Sequence, residues 1–249
     1  MEKSKVYFTD MRALPGTSLP QKLQKLMRRA GIADIDFERK ITAIKMHFGE
    51  PGNLSYLRPN YAKAVADLVK ELGGRPFLTD CNTLYVGRRK DALEHLSAAY
   101  ENGFGLLSTG CHVIIGDGLK GTDDVYVPVH GGELVKEAKI GKAVMDADVF
   151  ISLSHFKGHE MAGFGGAIKN IGMGCGSGPA RWRCTAAESR AWIRKSASAA
   201  VPVPAIARMA PSVLTNSDMP ASIMTAVSAA DAALAPATLT RYTTAMIPR

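Results

Sequence analysis

From Lys5 to Leu153, short apolar runs rich in β-branched residues alternate with amphipathic stretches, and this alternation constrains the fold more than any other feature. Lys5–Phe8, Ile41–Phe48, Arg75–Thr79, His112–Ile115, Asp124–Val129 and Val149–Leu153 read as strands. Leu19–Ala30 places Leu19, Leu23, Leu26 and Met27 on one helical stripe, and Gly31 stops it. Asn60–Leu72 reads as a helix between Pro59 and Gly73-Gly74. Arg89–Asn102 and Ile140–Ala147 complete the helical set. Strands alternating with helices predict an α/β fold, a mostly parallel sheet flanked by helices.

The strand ends carry polar residues. Ile41–Phe48 runs into His47 and Glu50; Arg75–Thr79 runs into Asp80 and Asn82; His112–Ile115 runs into Asp117; Val149–Leu153 runs into Ser154, His155, Lys157 and His159. In open α/β sheets ligands bind beyond the carboxyl ends of the strands, so these groups are expected to line one crevice. Any strand must leave into a polar loop, but four loops rich in His, Asp and Lys go beyond that requirement. The densest segment is HFKGHEMAGFGGAIKNIGMGCGS, residues 155–177. His155 and His159 would share a helical face as metal ligands, although Gly158 between them argues against a regular helix, and the metal is left unknown. Gly163, Gly165 and Gly166 would turn the backbone so that N–H groups cradle an anion, with Lys169 and Asn170 adding a charge and a donor. A packing turn is the plainer alternative.

Composition breaks after Ser177. Residues 178–249 hold 19 alanines, seven of the 13 prolines and one of the 24 glycines, and they carry eight Lys+Arg against three Asp+Glu. Residues 1–177 carry 23 against 20, so the overall charge of +8 sits mostly in the tail and does not mark a nucleic-acid surface. The N-terminus has no apolar signal core and no apolar run approaches a membrane span, so a cytoplasmic protein with no membrane partner is expected. Cys81, Cys111, Cys175 and Cys184 show no paired spacing. The organisation expected is an α/β domain over 1–177 and a poorly structured tail over 178–249, with a marginal helix around Ala221–Leu234.

KMHFGEPGNLSYLRP (45–59), LTDCNTLYVGRR (78–89) and SHFKGHEMAGFGGAIKNIGMGCGS (154–177) resemble the bacterial and archaeal family called domain of unknown function 362. The nearest resemblance is to its uncharacterised iron–sulfur subgroup, in which a two-cluster ferredoxin domain follows the front domain. The resemblance implies two [4Fe–4S] clusters and electron transfer to an unknown redox partner, yet the cysteine motifs are missing here.

A one-nucleotide loss near Ser177 would account for that; the alternative is a genuine basic, flexible Ala/Pro/Ser/Thr-rich extension that would bind an acidic partner. Each lost codon would then join the last base of one residue's codon to the first two of the next. Back-shifting Lys195–Arg208 allows C-V-G-C-G-A-C-A-S-N-C-P, the bacterial C-x₂-C-x₂-C-x₃-C-P ligand run. Ala226–Thr238 allows C-V-G-C-G-R-C-I-G-A-C-N in the same register. The chain as translated is therefore expected to hold no cluster, whereas its frame-intact parent would hold two. Its front domain would bind a small anionic partner. The alternatives are a self-standing enzyme acting on a small acidic substrate through Lys45, His47, Lys157, His159 and Lys169, with or without a metal, and a nonenzymatic binding module.

Overall fold

The computed structural model describes residues 5–84, 87–130, 136–159, 163–178, 222–228 and 237–240. Eleven strands and six α-helices are described, beginning with β1 (Val6–Thr9), α1 (Leu19–Arg29), β2 (Ile41–Lys45), α2 (Pro59–Glu71) and β3 (Arg75–Asp80). Next come α3 (Ala92–Glu101), α4 (Leu106–Thr109), β4 (His112–Ile115), β5 (Asp124–Pro128), β6 (Glu137–Gly141), α5 (Lys142–Met145) and β7 (Val149–Ser154). The hairpin β8 (Lys157–His159) and β9 (Gly163–Gly165) leads to α6 (Ala167–Gly172), and β10 (Ser222–Ser228) and β11 (Ala237–Thr240) follow.

Local chemistry sets the helix boundaries. Ser18 and Gln21 form a capping box at α1, with Pro20 in the first turn, where its missing N–H costs nothing. Pro59 opens α2 for the same reason. The Asp91 carboxylate accepts the Leu93 and Glu94 N–H groups at 3.0 and 3.1 Å, which starts α3 after Arg89 and frees that arginine from the helix.

The main sheet has the order β1-β11-β10-β7-β2-β3-β4, and its central strands β7, β2, β3 and β4 all run parallel. Alternate residues of the parallel strands face two cores. Ile44, Leu78, Ile151 and Leu153 pack with Leu23, Met27, Val65 and Leu68 beneath α1 and α2. Ala43, Phe77 and Phe150 pack on the other face with Val127, Ile140, Val144 and Ile171. From β2 the chain advances through β3 to β4, then returns to place β7 on the opposite side of β2. The strand order therefore reverses between β2 and β7, the position at which such sheets open a crevice at their carboxyl edge.

Three segments depart from the sequence reading. Ile140–Ala147 is not one helix: Glu137–Gly141 pairs antiparallel with β5, burying Ile140, and only Lys142–Met145 turns helical after Gly141. The helix around Ala221–Leu234 is replaced over Ser222–Ser228 by a strand parallel to β7, consistent with Ile223, Thr225 and Val227 at alternate positions. Ile41–Phe48 ends as a strand at Lys45; the Met46 N–H still donates to the Thr79 carbonyl, the last ladder bond to β3, before the chain leaves toward Gly49. Two strands of the tail thus lie in the sheet; its remaining residues from 179 onward lie outside those described. Among the described residues no helix is long and apolar enough to cross a membrane.

Candidate functional site

The site grows from the last residue of β2. Lys45 is a charged side chain only 1% exposed, and its Nζ donates to Asp80 Oδ1 at 2.9 Å and to Asn170 Oδ1 at 2.8 Å. Burying an ammonium is costly unless its donors are matched, and here a carboxylate from β3 and an amide from α6 match them. Asn170 is held in turn: its Nδ2 donates toward the Lys45 carbonyl (3.2 Å), Ser152 Oγ (2.9 Å) and Ser154 Oγ (3.0 Å). The two serines, both on β7, share a hydrogen bond of 2.7 Å. One amide thereby ties β2, β7 and α6 together across the reversal point.

Asp80 is the hub on the other side. Its Oδ2 accepts from Arg89 Nη1 at 3.3 Å and lies 3.8 Å from His95 Nε2, while Oδ1 also accepts the Cys81 N–H at 2.9 Å. Arg89 Nε donates to Glu50 Oε1 at 2.7 Å, and its Nη2 contacts the same oxygen. Lys45, Asp80 and Arg89 are all at most 6% exposed, whereas Glu50 is 40% exposed. The buried part of the network thus has two cations for one anion.

His47 lies in the loop that follows. The Gly49 N–H donates to its Nδ1 at 2.9 Å. Gly49 has φ +87°, and an added Cβ would sit 2.6 Å from the Tyr56 ring and 2.8 Å from Asn102 Nδ2, so the turn needs glycine. Asn102 Nδ2 also donates to the Phe48 carbonyl at 2.9 Å, clamping the loop. Burial lowers the His47 pKa to about 3; Arg89, Lys45 and Lys157 push the same way and Asp80 opposes them. The imidazole is neutral because it stands in a desolvated, positive field.

The hydrogen bonds and ion pairs above join Lys45, Glu50, Asp80 and Asn170 from the sequence reading. His47 and Lys157 share their field. Asn82 and Asp117 serve the loops: the Asn82 N–H donates to Asp117 Oδ1 at 2.8 Å, Asn82 Nδ2 donates to the Gly118 carbonyl at 2.9 Å, and Asn82 Oδ1 lies 3.3 Å from His95 Nδ1. His155, His159 and Lys169 are placed by the segment between β7 and the end of α6. Two expectations for that segment change. Lys157–His159 and Gly163–Gly165 pair as an antiparallel hairpin, so the two histidines do not share a helix, and Gly163 (φ +75°) and Gly165 belong to a strand and not to the turn that opens α6. Gly166 alone opens α6, with no side-chain cap. The hairpin carries Phe156 and Phe164, ring centroids 5.5 Å apart and both about half exposed.

Arg89, His95 and Ser152 belong to the network and were absent from the sequence reading, which had Ser154 only as a strand-end residue. Serines at alternate positions of an otherwise apolar buried strand were the available signal for one pair. Among the described residues no group of three or more His, Cys, Asp or Glu is placed to hold a metal ion. An iron–sulfur cluster does not fit the described cysteines: Cys81 follows the carboxyl end of β3, and Cys111 precedes the amino end of β4, at the opposite edge of the sheet.

The family profile described as "Domain of unknown function (DUF362)" matches residues 42–242, which include all but β1, α1 and part of β2 among the elements above. The chain belongs to this family. The match runs on beyond Ser177 and through β10 and β11. A relative, the thylakoid-associated protein sll1697 of Synechocystis sp., is 28% identical over 131 residues, 50% of this chain and 35% of that protein. The matched part thus spans about a third of that relative's length. Among solved structures, the lactate racemase apoprotein from Thermoanaerobacterium thermosaccharolyticum aligns with 68% of this chain and 35% of its own, at 14% identity and a TM-score of 0.39.

Proposed function

We propose that this DUF362 domain binds a small anionic molecule at the carboxyl edge of its sheet, between β2 and β7. The observation that carries the reading is the buried Lys45–Asp80–Arg89 array, which holds two cations against one carboxylate at the reversal of strand order. Lys157 on the adjoining hairpin adds to the same positive field, as its effect on His47 indicates. In a partly desolvated cleft such a field favours anions over neutral analogues. Titrating the full chain with acetate and with sulfate, followed by heat or by the thermal midpoint, tests this. Saturable binding that weakens at least about threefold in Lys157→Ala, in keeping with the modest worth of an exposed cation, supports the reading. A midpoint that neither anion moves overturns it.

The resemblance to the iron–sulfur subgroup, together with the two back-shifted cysteine runs, supports a second part of the proposal. In the frame-intact parent this domain would couple ligand binding to electron transfer through two [4Fe–4S] clusters, and residues 178–249 would be that ferredoxin domain read out of frame. Restoring one nucleotide near codon 177 should open a frame encoding both four-cysteine runs. Stops in that frame, or no iron and sulfide in the restored protein after anaerobic reconstitution, overturn this part while leaving the anion site untouched.

A further inference from the structure

His47 has a defined tautomer. Its Nδ1 accepts the Gly49 N–H at 2.9 Å, so that nitrogen carries a lone pair and the single ring proton must reside on Nε2. The assignment does not depend on a flexible partner. Gly49 is locked in a left-handed turn with no room for a side chain, Phe48 is clamped by Asn102, and Met46 is bonded to β3. Nε2, across the ring from Gly49, donates to no partner among the described residues. The ring is partly buried in a field to which Lys45, Arg89 and Lys157 contribute positive charge and Asp80 negative, and its Nε2–H is available to a partner.

We propose that His47 serves the site as a neutral hydrogen-bond donor, offering Nε2–H to an oxygen of an acceptor-only oxyanion, a carboxylate or a fully ionised sulfate- or phosphate-type group. This rests on the anion-site reading. The geometry distinguishes His47 from an ordinary cationic histidine. Protonation would have to occur at Nδ1, which would set two N–H groups, those of Nδ1 and Gly49, against each other. Lys45, Arg89 and Lys157 would repel the added charge, with Asp80 alone to offset them. The long-range attraction for the ligand thus comes from the lysines and the arginine, while His47 supplies direction. A ligand that presents a hydrogen at this point meets a donor and is rejected, because two donors cannot pair.

Two substitutions separate the two faces of the ring. Gln at 47 can place an amide N–H near the Nε2 position, whereas Asn can only replace the Nδ1 acceptor near Gly49. Binding of sulfate and of acetate to the full chain is expected to fall at least tenfold in His47→Asn and to stay within about threefold in His47→Gln, as for loss and retention of one hydrogen bond to a charged group. Sulfate affinity is expected to be flat between about pH 5.5 and 8, where an ordinary histidine would tighten it on protonation. Nitrogen-15 NMR of the unliganded chain reads the ring directly, with the Nε2–H tautomer and no titration over that range as the expected result. An Nδ1–H tautomer, a midpoint near neutrality, or equal losses in the two variants would overturn the proposal. If wild-type protein binds neither anion, the site reading fails and takes this role with it, while the NMR result still reports the tautomer. Binding of acetate alone or sulfate alone identifies which oxyanion geometry fits.

Discussion

Replacing Asp80 by Asn should destabilise the domain far more than an isosteric change of one side chain normally does. The Asp80 carboxylate accepts from Lys45 at 2.9 Å, from Arg89 at 3.3 Å and from the Cys81 N–H at 2.9 Å, with His95 at 3.8 Å. Asn keeps the shape but removes the one buried carboxylate that faces Lys45 and Arg89 and turns an amide N–H toward a cation. Breaking a buried pair by removing one partner costs about 3–5 kcal/mol. Arg89 retains Glu50, and Lys45 retains Asn170, so the lower end applies. A loss of about 3 kcal/mol is roughly a 150-fold fall in the folding constant, at about 1.4 kcal/mol per factor of ten. Urea unfolding at neutral pH would read it as a lower midpoint with an unchanged slope. Lys45→Met, combined with Asp80→Asn in a double-mutant cycle, should recover about 1–2 kcal/mol relative to the sum of the single losses, because the stranded ammonium is removed. A loss under about 0.5 kcal/mol for Asp80→Asn, or strict additivity in the cycle, would refute the claim that the two charges hold each other in place.

Gly174→Ala should abolish anion binding even where the chain still folds. Its Cβ would sit 2.1 Å from the Asn170 carbonyl and 2.5 Å from Lys45 Nζ, and calorimetric titration with sulfate would show the loss. Gly49→Ala should cost at least about 2 kcal/mol in urea unfolding, since it combines φ +87° with collision against Tyr56. Stability should also fall with acid through His47. Its pKa is about 3 in the folded chain and ordinary when unfolded, so below about pH 6.5 the unfolded chain takes up a proton that the native state does not. The contribution is fully present above that pH and is lost progressively toward pH 3, by up to about 1.4 kcal/mol per pH unit. His47→Gln should flatten the slope between about pH 6 and 5 by that amount; parallel slopes would refute it.

The central strands were legible because each is a short apolar run with turn residues at both ends, and β4 begins and ends where the pattern placed it. Their carboxyl ends were legible too, which is why Asp80 and Asn170 could be placed near one another before any coordinates, whereas the burial of Lys45 between them was not. Arg89 was hidden by its neighbours: it continues a helix-like pattern, and the Asp91 cap that excludes it from α3 is a three-dimensional fact about two N–H groups. Ile140–Ala147 misled for a related reason. The same apolar spacing fits a helix or a strand paired to β5, and only the partner decides. The glycines after His159 offered backbone freedom without saying where it leads; pairing with β8 draws Gly163 and Gly165 into a hairpin, in which Gly163 keeps a left-handed φ of +75°.

Arg89 brings five N–H donors, and Glu50 and Asp80 engage three of them. Any anion entering the crevice therefore meets carboxylates already bonded to the cations it seeks. Asp80 and Glu50 act as resident competitors: they keep the cations ordered in the empty protein, and they limit how tightly a visitor can be held. The expected kinetics are those of an exchange site, with fast arrival in a positive field and fast departure as Asp80 and Glu50 reclaim their full share of Arg89.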